Sequence, residues 1–341
     1  MPLQYVNFGV AGAGRIGARH IEHLAAGRNT RVVAVCTPVE AEQAWAREQV
    51  PGVKIYADYD AFVADADVQA VLLATPTKFH AEQFISALEH GKHVFTEKPL
   101  SMSPDVAWQM YETAAKHPEL KAACAFPRRS AAPFLDAARR VRAGEIGDVL
   151  AVRSQSTDQF DFTPFFVNYA RVSGGIFVDC TIHDIDCALF VAQKDITAVR
   201  AFSTGSATVI PELAEMGDVD NAYALVEFDD GTNMHFMASR TNRHGHHSYT
   251  EVIGTLGKIV IYPEVSQHNL VVCNAAGVFR KPPGDHFEQI TDAFVVEVAS
   301  FADWVLRDAA VPFNLKDAAK AVAIADALQR SLRTRQQVLM S

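Results

Sequence analysis

Cysteine is scarce in this 341-residue sequence, and none of it is arranged for structure. Cys36, Cys124, Cys180, Cys187 and Cys273 are odd in number and scattered, with no C-x-x-C pair. That excludes a disulfide framework or a cysteine-built zinc cluster as the organising device and fits a reducing compartment. No run approaches the roughly 18 apolar residues of a membrane helix. The first residues lack the basic stretch and apolar core of a secretory signal. Positive charge is not in excess either: 31 Lys plus Arg stand against 40 Asp plus Glu, a net charge of −9. Counterion release from nucleic acid or an anionic membrane needs a basic surface, so neither is an expected partner. Internal repeats and low-complexity linkers are also missing. What remains is an ordinary globular balance, 49% hydrophobic and 21% charged. At about 150 residues per domain the length suggests two domains. A cytoplasmic protein with a small-molecule partner is the expectation.

The chain reads as two unlike halves. Up to about residue 125, short apolar runs alternate with helical stretches: strands at 5–11, 30–36, 68–75 and 92–96, and helices continuing through 19–26 and over 80–90. That alternation predicts βαβ units and a parallel sheet with right-handed crossovers. Beyond residue 145 the pattern changes to longer alternating strands. Residues 222–239 read as a hairpin about Asp229-Asp230-Gly231, and 251–262 as another turning at Gly254–Gly257. Helices near 293–307 and 315–333 close the chain. The expected fold class is an α/β N-terminal Rossmann domain over 1–125, then an α+β domain over 126–341 with a large, mostly antiparallel open sheet.

The first strand runs into Gly12-Ala13-Gly14-Arg15-Ile16-Gly17, a complete G-x-G-x-x-G. In a dinucleotide site Gly12 permits the tight turn, Gly14 admits the pyrophosphate, and Gly17 allows close helix–strand packing. The helix beginning at Arg15 and Ile16 then aims its positive end at the phosphates. The carboxylate expected at the end of the second strand is missing, because Cys36-Thr37-Pro38 stands there and Glu40 comes a little later. Thr37 is able to bond a ribose hydroxyl but would not repel a 2′-phosphate. The choice between NAD and NADP therefore stays open, with a lean to NAD. Thr96-Glu97-Lys98-Pro99 ends another strand where open α/β sheets bind ligands, and Thr75, with His80 beyond, sits at a similar strand end. In the second half, Asp179, His183 and Asp186 would share one face of a helix. A carboxylate one turn from an imidazole suits acid–base work, although a surface ion pair would look the same. Arg243-His244-Gly245-His246-His247 offers three histidines without a carboxylate or cysteine at ligand spacing, so no metal is expected. A loop reaching a substrate through His244 or His246 is the preferred reading.

Together GAGRIG, the Thr-Glu-Lys-Pro segment and the Asp179–His183 segment resemble the Gfo/Idh/MocA oxidoreductase family, in order and spacing over nearly the whole chain. Within that family the similarity is to inositol dehydrogenases in particular. The resemblance implies hydride transfer between a nicotinamide and a secondary alcohol of a cyclitol or sugar, with Lys98, Asp179 and His183 as catalytic residues. In that reading His183 is the general base, Lys98 stabilises developing alkoxide charge, and Asp179 holds His183 or a neighbouring hydroxyl. Gly12, Gly14, Arg15, Ile16, Gly17, Thr37, Thr75, His80, Glu97 and Lys98 would bind the cofactor. Arg128, Asp158, Asn168, Tyr169 and His246 are the expected substrate contacts. A homodimer or homotetramer through the C-terminal sheet is also implied. Two alternatives share the fold: a non-catalytic nicotinamide-sensing regulator, which the presence of all three catalytic residues argues against, and a relative that recycles tightly bound NAD.

Overall fold

The structure is a computed structural model that describes residues 5–160, 163–193, 198–228, 230–264, 272–275, 277–312 and 315–340. The chain folds into two units, Met1–Pro127 with Asp292–Val322, and Arg128–Thr291 with Ala323–Ser341.

In the first unit six strands are all parallel: β1 (Val6–Ala11), β2 (Thr30–Cys36), β3 (Lys54–Tyr56), β4 (Ala70–Leu73), β5 (His93–Thr96) and β6 (Ala122–Cys124). Between them lie α1 (Arg15–Ala26), α2 (Glu40–Gln49), α3 (Tyr59–Val63), α4 (His80–Glu89) and α5 (Pro104–Ala115). The order β3-β2-β1-β4-β5-β6 reverses between β1 and β4, which leaves a crevice at the carboxyl ends of these strands. Near-continuous apolar runs such as AVLL in β4 form because both faces of a parallel sheet are covered. The sequence assigned all of 126–341 to the second domain. The structure instead starts the second unit at Arg128 and returns residues 292–322 to the first. The cause is apolar burial. Phe301 lies 6.1 Å from the Phe8 ring and 5.3 Å from the Phe95 ring, and Val298 and Ala302 close the same core.

The second unit contains α6 (Ala132–Arg142), β7 (Val149–Gln159), α7 (Pro164–Ala170) and a π-helical turn (Phe177–Thr181) that runs into α8 (Ile182–Ala192). There follow β8 (Ala198–Ser206), α9 (Glu212–Glu215), β9 (Asn221–Phe228), β10 (Asn233–Asn242), β11 (His247–Gly254), β12 (Lys258–Ile261), and the small pair β13 (Val272–Asn274) and β14 (Gly277–Phe279). Helix α10 (His286–Leu306) breaks at Ile290, and α11 (Leu315–Thr334) leads to β15 (Val338–Leu339). The chain passes from one unit to the other within each of these two helices. Seven strands make one sheet, β12-β11-β7-β10-β9-β8-β15, antiparallel except where β10 runs parallel to β7. Both expected hairpins form, β9–β10 and β11–β12, although Asp229 of the first turn lies outside the described residues. Side chains alternate across this sheet. The row Ala201, Val226, Met234, Val152 and Val252 is buried, whereas Phe202, Tyr223 and Ile253 are exposed on the other face. Among the described residues no helix is long and apolar enough to cross a membrane.

Candidate active site

The Gly-rich turn is fixed by backbone sterics. Gly12 has φ +87°, and a Cβ there would lie 2.6 Å from the Ala74 carbonyl oxygen; a Cβ on Gly17 would run into the Gly12 carbonyl oxygen. At Gly14 the nearest atom to an added Cβ is Glu42 Oε1 at 3.6 Å, so the space above this turn is open. Gly14 caps α1 with no side-chain bond, and the first turn, from Arg15 and Ile16 to Gly17, holds no acidic residue. Unsatisfied N–H groups, a positive helix end and an open glycine make a cradle for an anionic pyrophosphate, so the residues present fit a dinucleotide.

A carboxylate does stand near the end of β2, that of Glu42. Thr37 is buried and donates its hydroxyl to Glu42 Oε2 at 2.5 Å, while its carbonyl accepts from the Gln43 amide at 2.8 Å. The Thr37 hydroxyl proton thus points to Glu42 rather than to a ribose, and the acidic group beside Gly14 is Glu42, not the exposed Glu40. The sequence missed it because the carboxylate comes from the first turns of α2 rather than from the strand end.

Around Lys98 the side chains are tightly engaged. Thr75 donates its hydroxyl to Gln83 Oε1 at 2.5 Å. His80, only 1% exposed, has Nδ1 3.0 Å from the Pro99 carbonyl and Nε2 2.9 Å from the Thr75 carbonyl. The ring is thus enclosed between the two loops, and burial holds its pKa below the ordinary value, so the neutral imidazole donates to one of these carbonyls at a time. Glu97 Oε1 lies 2.7 Å from His20 Nε2, and Oε2 accepts the Lys98 backbone N–H at 3.0 Å. Burial alone would raise the Glu97 pKa; the His20 hydrogen bond and charge, the Lys98 charge and the Lys98 backbone N–H together outweigh it and hold the carboxyl below its ordinary value. Both Glu97 oxygens thus have partners within the protein. Lys98 itself is half-buried where the chain leaves β5. His20, five residues into α1, carried no signal in the sequence beyond its helical position.

In the second unit the π turn alters the expected helix face. Asp186 turns inward and forms a buried ion pair with Arg129, at 2.6 Å, instead of lining up with Asp179 and His183. The wider π turn breaks the i, i+7 register assumed for a regular α-helix. Asp179 accepts the Tyr169 hydroxyl at 2.7 Å and pairs with Arg240 at 3.3 Å; Arg240 also holds Asp218 at 2.6 Å. Asp158 lies 2.9 Å from His246 Nδ1, and the Cys180 thiol bridges toward Asp158 at 3.6 Å and Asp179 at 3.9 Å. Burial by itself would raise the Asp158 pKa, but the hydrogen bond and charge of His246, with His286 nearby, press it far below the ordinary value. His246 is buried, with Nε2 3.1 Å from Ser248 Oγ. His286 lies 6.5 Å from His183 and 6.0 Å from His246 between ring centres. Asp158, Tyr169, Asp179, His183 and His246 are thus brought into one polar cluster, which Asn168, exposed on α7, adjoins through Tyr169. Arg128 differs. Its guanidinium is buried against Asp184 at 2.8 Å, Ser156 at 2.6 Å and Ser248 at 2.8 Å. Arg240 and His286 went unseen in the sequence, since each sits at the end of an element far along the chain from its partners.

Residues 6–123 match the Gfo/Idh/MocA family as an oxidoreductase family with an NAD-binding Rossmann fold, and residues 134–260 match a C-terminal domain of the same family. The chain belongs to this family. Its relatives include a scyllo-inositol 2-dehydrogenase (NAD(+)) of Bacillus subtilis, 33% identical over 88% of this chain and 86% of that protein. A myo-inositol 2-dehydrogenase of Thermotoga maritima is 30% identical over 98% of each chain. Among solved structures, the scyllo-inositol dehydrogenase of Lactobacillus casei, with bound NAD(H) and scyllo-inositol, superposes with a TM-score of 0.93. It is 31% identical, and the match covers 98% of this chain and 99% of that one. Family membership places the Gly12–Gly17 turn in an NAD-binding Rossmann fold and makes the protein an oxidoreductase.

Proposed function

We propose that this protein is an NAD-dependent dehydrogenase that oxidises a ring secondary alcohol of an inositol to the ketone. The observation that carries the reading is the cluster in the second unit, where the Tyr169 phenol bonds Asp179 at 2.7 Å, His246 lies 2.9 Å from Asp158, and the Cys180 thiol lies between the two carboxylates. A polyol presents hydroxyls that both donate and accept, and this mixture of acceptors and donors matches several at once. The inositol dehydrogenases among the relatives support the same substrate class.

Gly12, Gly14 and Gly17, with the first-turn N–H groups of Arg15 and Ile16, would hold the pyrophosphate, and Glu42 beside them disfavours a 2′-phosphate and so favours NAD over NADP. NAD held there would supply the hydride acceptor for the carbinol carbon. The hydroxyl on that carbon must lose its proton as the carbonyl forms, and His183 takes it as general base. Lys98 stabilises the developing alkoxide by charge and hydrogen bonding. Asp179, anchored by Tyr169 and Arg240, presents its remaining lone pairs to a neighbouring hydroxyl. Asp158 and His246 act together as a second hydroxyl-reading pair, with Asn168 and Tyr169 at the rim. The open face of the seven-stranded sheet, with Phe202, Tyr223 and Ile253 exposed, fits assembly of a homodimer or homotetramer. The five free thiols are suited to a cytoplasmic enzyme. Screening inositols, aldoses and anhydrosugars with NAD and NADP tests the reading. NADH formation with an inositol is expected, and turnover of aldoses alone would overturn the substrate assignment.

A further inference from the structure

We propose that His20 and His80 are positioning residues for Lys98, two buried imidazoles from different helices that fix the residues on either side of it. Through His20 the lysine is tied to α1, the helix whose N-terminus faces the cofactor's pyrophosphate. The inference rests on the catalytic reading of Lys98 and extends it.

Within β5 the backbone is held by the ladder, and Glu97 still donates its N–H to the Leu73 carbonyl at 2.8 Å. After that the turn has left its neighbours, and buried peptide groups need other partners. The Lys98 N–H finds Glu97 Oε2 at 3.0 Å, and Pro99 has no N–H to satisfy. The Pro99 carbonyl meets His80 Nδ1 at 3.0 Å. The peptide position of Lys98 is therefore set by side chains: Glu97 on one side, His80 on the other.

Glu97 holds Lys98 only while it is itself held. Its other oxygen lies 2.7 Å from His20 Nε2, and the His20 ring is 1% exposed, edge-on to Phe95 at 6.2 Å between ring centres. Removing the imidazole would leave a largely buried carboxylate without its partner, an expensive state that the side chain relieves by rotating or taking up a proton. Either response alters the bond to the Lys98 N–H. His80 works from the opposite side. Its buried ring is packed between the Pro99 carbonyl and the Thr75 carbonyl, 2.9 Å from its second nitrogen, and the neutral ring donates its single N–H to one of them, so the β4 strand end and the Lys98 turn close on the same side chain. Small displacements of a reacting group are costly in rate, so both histidines should act on turnover through Lys98.

A double-mutant cycle in the full-length protein tests this. The variants are His20→Phe, which keeps an aromatic ring against Phe95, the conservative His20→Gln, which keeps an amide donor, Lys98→Ala, and His20→Phe with Lys98→Ala. His20→Phe is expected to lower kcat about tenfold while the NAD KM and the fluorescence-measured NADH affinity stay within about twofold. His20→Gln should restore part of the loss. On the Lys98→Ala background, His20→Phe should cost less than about twofold more. An equal loss on both backgrounds would overturn the proposal, as would unchanged kcat in His20→Phe. If Lys98→Ala alone leaves turnover intact, the catalytic reading of Lys98 is what fails. Positioning is then decided by Lys98 acetylation with acetic anhydride in cofactor-free protein, read by mass spectrometry against Lys54. A rate changed threefold or more by His20→Phe supports it, and an unchanged rate overturns it. His80→Phe is tested in the same cycle with the same expected pattern.

Discussion

Replacing Gly17 by alanine sets helix propensity against packing. Gly17 lies in the first turn of α1, where alanine is worth about 1 kcal/mol more than glycine. Its added methyl, however, would collide with the backbone carbonyl of Gly12 and crowd the Ala74 side chain at 3.3 Å. Overpacking costs about 1–3 kcal/mol, and a clash with rigid backbone whose relief requires shifting the Gly12 turn itself falls at the upper end, about 2–3 kcal/mol. The net expectation is a loss of about 1–2 kcal/mol, or roughly 3–6 °C in the unfolding midpoint of a unit of this size. NADH affinity should fall as the turn moves. Gly14→Ala is the control, because its methyl would meet only Glu42 Oε1 at 3.6 Å. Stability should then change little while NADH binding weakens tenfold or more, since the methyl occupies the open approach over the helix end. Circular dichroism melts and fluorescence titration with NADH measure the two quantities separately. A Gly17→Ala protein as stable as the parent, or a Gly14→Ala protein that binds NADH normally, would refute the reasoning.

Three other contacts give outcomes of their own. Glu42→Ala removes the carboxylate beside Gly14 and should raise the NADP-to-NAD ratio of kcat/KM about tenfold, an unchanged ratio counting against it. Asp158 has a folded-state pKa held below its unfolded value, so its contribution to stability is present above about pH 4 and is lost as pH falls toward the lowered folded value. The melting midpoint of the parent should exceed that of Asp158→Asn at pH 7, and the gap should narrow steadily as pH falls below about 4; parallel curves would contradict this. Tyr169→Phe deletes the 2.7 Å hydrogen bond to Asp179 and should lower kcat/KM for the polyol about 3- to 10-fold, with the NAD KM unchanged.

The parallel half was legible because its strands are short apolar runs between helices, and β2 formed at the expected residues 30–36. The eight-residue run 68–75 shortened to β4 (Ala70–Leu73), since Ala74-Thr75-Pro76 turns away to meet Gly12 and His80. The return of residues 292–322 to the first unit was invisible, because amphipathic helices show which face is apolar but not which core receives it. The same limit explains the site. Gly12 and Gly17 carry a spacing that backbone sterics enforce, so the turn was readable. Arg240, His286 and His20 find their partners through tertiary contact alone, Glu42 reaches Gly14 only across the sheet, and the buried setting of Arg128 depends on Asp184, 56 residues away. The π turn before α8 left no mark in the hydrophobic pattern, so Asp186 was placed on the wrong side of its helix.

The central claim is direct hydride transfer from an inositol ring carbon, and isotope tracing tests it most directly. The protein is incubated with NAD and scyllo-inositol deuterated at every ring carbon, and the reduced cofactor is analysed by mass spectrometry. Direct transfer predicts one deuterium in each NADH formed, and little NADH at all from His183→Ala or Lys98→Ala. Unlabelled NADH, or full activity in both variants, would contradict it.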